Sequence, residues 1–109
     1  MNEKDECQTN TISEIKGRVS AICFIALNEW AEEEGLNESK LELLTTWIND
    51  SIRKLPQTEN NKRTIQLPKE LLKEEKKCII QILKDGVEKY GFRVEYINFR
   101  CIKIYKTRS

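Results

Sequence analysis

Residues 92–106 read FRVEYINFRCIKIYK, and the phase of their apolar positions decides the architecture. Phe92, Val94 and Tyr96 alternate with polar residues, as do Ile102 and Ile104. That is the period-two pattern of a half-buried strand. Between the two sets, Ile97, Phe99 and Cys101 fall in the opposite phase. A single strand can bury both sets on one face only with a bulge. A hairpin turning at Ile97-Asn98-Phe99 removes the conflict, setting Val94 opposite Ile102 and Phe92 opposite Ile104. The turn has no Asn-Gly or Asp-Gly pair, so one long bulged strand is the alternative.

Upstream, Thr64-Ile65-Gln66-Leu67 is a short strand candidate. Pro68 suits the first turn of a Lys- and Glu-rich helix that runs to about Tyr90. Leu72, Ile79, Leu83, Val87 and Tyr90 share one face of that helix, extended by Leu71, Ile80 and Ile82, and Gly91 ends it. Residues 64–109 therefore read as a β-α-β-β unit. The polar stretch PQTENNKR, 56–63, separates it from what precedes.

The first half reads as two helices. Thr11-Ile12-Ser13-Glu14 fits a capping box, and Gly35 is placed to terminate the helix it starts. Ile12, Ile15, Val19, Ile22 and Ala26 make one stripe, widened by Cys23 and Trp30. Phe24 and Leu27 lie off it, so the middle of this helix is apolar nearly all round. Asn37 caps a second helix, with Leu36 and Leu41 as a hydrophobic staple. Leu41, Leu44, Ile48, Ile52 and Leu55 form its stripe, Leu43 and Trp47 lie alongside, and Pro56 closes it. The short link between the helices predicts an antiparallel hairpin. The fold class expected is α+β: a helical hairpin, 11–55, packed with a β-α-β-β unit, 64–109, whose small sheet is antiparallel or mixed. At 109 residues this is one domain, preceded by a polar, flexible tail, 1–10.

Charge divides the chain at the same boundary. Residues 1–55 hold 6 Lys+Arg against 11 Asp+Glu, a net of −5, whereas residues 56–109 hold 13 against 7, a net of +6. Such asymmetry lets the halves attract each other, lets two copies pair, or brings the basic half to an anionic partner. The densest acidic cluster, Glu32-Glu33-Glu34, splays around a helix and converges on no site.

Histidine is absent, which excludes Ser–His and Cys–His catalysis and His-ligated metal within these residues. The four glycines are isolated, so there is no phosphate-cradling loop. The four cysteines, Cys7, Cys23, Cys78 and Cys101, form no C-x-x-C pair. Cys7 lies in the tail as the exposed thiol, and the other three read as small buried hydrophobes rather than metal ligands. No cofactor, metal or catalytic residue is expected. The polar N-terminus has no apolar signal region, and the longest nearly apolar stretch, Val19 to Leu27, is too short to span a bilayer. A cytoplasmic location is the expectation.

The leading expectation is a small non-enzymatic module that acts by occupying a partner protein, as a modulator or inhibitor. Its contacts would come from Phe24, Leu27, Trp30 and Trp47, and a homodimer through the first helix would absorb the same surplus. The alternative is nucleic-acid binding through Lys62, Arg63, Arg93, Arg100, Lys103 and Lys106, interleaved with Tyr96, Phe99 and Tyr105. A third reading is sequestration of a small anion such as a nucleotide. The lysines from Lys69 to Lys84 pair with nearby glutamates and read as a solvated helix face. In size and Lys/Ile/Asn/Glu-heavy composition the chain resembles small accessory proteins of phages and mobile elements in AT-rich bacteria. That resemblance carries no site residue.

Overall fold

The structure, a computed structural model, describes residues 11–58 and 60–107. The tail, 1–10, with Cys7, and the last two residues, with Arg108, lie outside the described residues. Three helices and three strands follow in the order α1 (Ile12–Glu34), α2 (Glu38–Arg53), β1 (Lys62–Gln66), α3 (Lys73–Glu88), β2 (Phe92–Asn98) and β3 (Cys101–Lys106). The fold is α+β.

Local signals set the helix ends. The Thr11 hydroxyl accepts from the Glu14 N–H at 3.1 Å, and the Glu14 carboxylate accepts from the Thr11 N–H at 3.0 Å. Gly35 takes the left-handed conformation at φ 64°, and the Leu36 N–H reaches back to the Ala31 carbonyl. The Asn37 side chain accepts from the Lys40 N–H at 2.8 Å. Lys16 at the start of α1 donates to the Arg53 carbonyl at the end of α2, which fixes the hairpin as antiparallel.

α1 packs against both α2 and α3, and α3 packs against β2. Because α1 is gripped from two sides, its buried row is Val19, Cys23, Leu27 and Ala31, an i, i+4 ridge. This corrects the placing of Leu27 off the apolar stripe. Ile22 and Ala26, read as the centre of that stripe, are only half-buried.

α3 begins five residues later than its proline suggests. Pro68 to Leu71 forms a turn that brings Leu67 and Leu71 into the core. The Glu75 carboxylate then accepts from the Leu72 N–H at 2.8 Å, so the helix starts there. It ends at Glu88, and Gly91, at φ 89°, redirects the chain into β2.

The sheet order is β1-β3-β2, antiparallel throughout. The hairpin exists, but its register differs from the expected one. Val94 lies opposite Ile104 and Tyr96 opposite Ile102, while Phe92 faces Lys106. A bulge between Tyr96 and Asn98 takes up the phase change, so the turn falls at Phe99-Arg100. Hairpin and bulge coexist instead of excluding each other.

Ile65, Ile102, Ile104, Phe92 and Val94 point to one face and pack under the helices with Ile79, Leu83 and Val87. Among the described residues nothing forms a second layer on the opposite face. The described molecule measures 47 × 27 × 16 Å, a slab whose thin dimension is about one helix on one sheet.

Candidate functional site

Alternation places three cross-strand rows on the open face of the sheet. They are Lys62–Tyr105–Arg93, Thr64–Lys103–Glu95 and Gln66–Cys101–Asn98. Lys62 Nζ sits 5.5 Å from the centroid of the Tyr105 ring. The first row thus sets an aromatic ring between two cations. Lys103 stands one row along, with a single carboxylate, Glu95, beside it.

The hairpin turn closes one end of this face. Asn98 Oδ1 accepts from the N–H groups of Arg100, at 2.8 Å, and Cys101, at 3.2 Å. The Leu67 N–H donates to the Arg100 carbonyl at 2.7 Å, fastening the exit of β1 to the turn. Lys76 Nζ, from the first turn of α3, donates to the Phe99 carbonyl at 2.9 Å. The turn is therefore held from three sides, while the Phe99 side chain stays 57% exposed. A groove of about 780 Å³ opens there, lined by Thr64, Gln66, Lys69, Lys76, Phe99 and Arg100, with no carboxylate in its lining. A second groove, about 420 Å³, lies on the far side of Phe99 over Ile80 and Tyr96, rimmed by Lys73 and Lys77.

Six cations were expected to act together, and the fold divides them. Lys62, Arg93 and Lys103 share the open face, and Arg100 stands at its turn end. Arg63 and Lys106 fall on the opposite parity, at the rim of the helix-covered face. Sequence reasoning assigned Lys69 and Lys76 to a solvated helix face, yet both line the turn groove. The only sequence signal for this was an aromatic, Phe99, out of phase with its strand.

The residues expected to meet a protein partner are divided too. Leu27 is fully buried, and Trp47 is buried with its indole N–H donating to the Gln66 carbonyl at 2.7 Å. Neither offers a surface in this arrangement. Phe24 and Trp30 are half-buried against the core, leaving Ile25, 63% exposed, as the large apolar side chain α1 shows to solvent.

Burial, and secondarily the Asp85 carboxylate, push the Cys23 thiol up to about 12, so it stays protonated. Glu75 is held below its ordinary value, first by its hydrogen bond from Lys40 and then by the Leu72 N–H. Among the described residues no three Cys, Asp or Glu side chains gather as a metal cage, no buried polar side-chain atom lacks a partner, and no helix is long and apolar enough to cross a membrane.

No protein-family model, curated protein or solved structure matches this chain.

Proposed function

We propose that this chain binds single-stranded nucleic acid across the open face of its sheet. The observation that carries the reading is where its charge goes. Among the described residues one ion pair, Lys40–Glu75, joins the acidic half to the basic half. Its cation comes from the acidic half and its carboxylate from the basic half, so it does nothing to neutralise the surplus. Among the described residues Lys62, Arg93, Lys103, Arg100 and Lys76 form no ion pair, which leaves their charge available to a ligand. Phosphates take up such charge, and bases stack on exposed aromatics beside it. A small sheet with one face covered by helices and the other open, bearing half-buried Tyr105 between two cations and exposed Phe99 at its turn end, offers both at once.

A partner protein was the stronger expectation while α1 looked apolar all round. Packing between α2 and α3 absorbs most of that surplus, including Leu27. The support for that reading shrinks accordingly.

The test is fluorescence anisotropy of a labelled single strand of about 15 nucleotides, titrated from about 50 to about 200 mM salt. Affinity should fall linearly on logarithmic axes, with a slope of about −0.7 for each phosphate neutralised. Absence of binding at the lowest salt, or binding indifferent to salt, overturns the proposal.

A further inference from the structure

The turn groove has features that the sheet face alone does not need. Its aromatic, Phe99, fills no core position, yet three hydrogen-bonded ties fix the backbone that carries it: Asn98 to Arg100, Leu67 to Arg100 and Lys76 to Phe99. The ring itself is 57% exposed and meets cations instead of the core. Two cations flank that ring, Lys76 Nζ at 5.3 Å and Arg100 Cζ at 5.6 Å from its centroid. A third, Lys69, lines the same groove, and no carboxylate does. A volume of about 780 Å³ is within the range of sites that hold small organic ligands.

We infer that this groove is the principal nucleotide subsite. A base stacks on Phe99, its phosphate lies between Lys76 and Arg100, and its edge faces the Gln66 amide and Thr64 hydroxyl. The inference rests on the nucleic-acid reading above and adds to it the place where one base is held. The chemistry suits this occupant on three counts. Stacking is tolerant of base identity but needs a fixed ring. Arg100 already lies against that ring, so taking up phosphate requires only a shift of its side chain, while Lys76 stays tied to the Phe99 carbonyl and adds its charge alongside. An amide and a hydroxyl on adjacent rows supply both donors and acceptors for a base edge. The second groove shares Phe99 and Lys76 but lies on the helix side of the turn, beside Tyr96 and Ile80.

The experiment compares wild type with Phe99→Ala, Phe99→Trp, Lys76→Ala and Lys62→Ala, using labelled single strands of thymidylate and of adenylate. Phe99 is exposed, so its truncation leaves the fold intact, and circular dichroism verifies this. Phe99→Ala should weaken binding by about 5- to 100-fold with the salt slope unchanged, because a stacked base is lost and no charge is. Phe99→Trp should restore affinity. Lys76→Ala should lower the magnitude of the slope by about 0.7. If wild type binds with steep salt dependence and Phe99→Ala stays within about twofold of it, the subsite is refuted while the sheet-face reading survives. If wild type does not bind at low salt, the broader reading fails and the subsite with it. Competition by a free mononucleotide as strong as by the oligomer would overturn the strand as occupant.

Discussion

The thiol of Cys23 lies 2.8 Å from where a Cβ on Gly86 would stand. α1 and α3 therefore approach at a contact in which one helix gives up its side chain to make room for sulfur. Cys23 Sγ also donates a weak hydrogen bond to the Ile82 carbonyl at 3.7 Å. A glycine inside a helix costs about 1 kcal/mol against alanine. Gly86→Ala regains that, yet overpacking a closed core costs about 1–3 kcal/mol. The net should be a loss of up to about 2 kcal/mol in denaturant unfolding. Cys23→Ala removes the sulfur, so the double variant should be more stable than the sum of the two single losses by about 1 kcal/mol. Simple additivity would mean that the helices separate freely at this point.

The same burial governs the chemistry of that thiol. Loss of solvation, first, and the Asp85 carboxylate, second, push Cys23 from 9.0 up to about 12. In the unfolded chain the thiol ionises near its ordinary value, while in the folded chain it keeps its proton. The stability linked to it is thus complete below about pH 9 and is lost as pH rises through the interval up to the folded value. Cys78, read from its apolar neighbours as buried, is exposed, so alkylation at pH 8 followed by peptide mass mapping should label it and leave Cys23 unmodified until denaturant is added. Labelling of Cys23 at the rate of Cys78 would contradict its burial.

The local grammar of this fold was legible, and the non-local part was not. Thr11 with Glu14, Gly35 and Asn37 each act on backbone groups within about one helical turn, so the sequence window contains cause and effect together. The register of β2 against β3 depends on where a bulge sits. The sequence pattern identified the conflict at Ile97 without saying that the turn would fall two residues later. Leu27 became central because α1 lies between two helices, a fact held in no segment of α1. The turn groove is the extreme case. It unites Lys69 and Lys76 with Arg100, which lies two dozen or more positions further along the chain, and only Phe99 was out of place enough to notice. Trp47 shows the converse: its tie to Gln66 uses a residue type common at interfaces for an internal bond.

Glu75 should make stability sensitive to acid. Its carboxylate holds Lys40 Nζ at 2.8 and 3.0 Å and caps the Leu72 N–H, and its folded value is depressed below 4.5. A depressed carboxylate contributes stability that is present above its unfolded value and disappears as pH falls through the folded one. Glu75→Gln should cost about 1 kcal/mol at neutral pH, since it keeps an acceptor for the cap but loses the charge. As pH falls through that depressed value, wild type and variant should converge. A constant difference across that range would show that the contribution is not ionic.

The strand parity of two arginines gives the sharpest check on the binding face. Arg93 belongs to the open face, in the row with Tyr105 and Lys62, while Arg63 falls on the opposite parity, opposite Ile104. Both are exposed strand residues of equal charge, so a ligand drawn only by net charge would feel their loss equally. A strand lying on the open face contacts one and not the other. Screening limits the reach of an exposed charge to about 10 Å at 0.1 M salt, so the difference should grow as salt is raised. Arg93→Ala should reduce the magnitude of the salt slope by about 0.7, as expected for one lost phosphate contact, and Arg63→Ala should change it by less than half as much. Equal effects of the two variants would move the ligand off the open face and leave only diffuse attraction to the basic half.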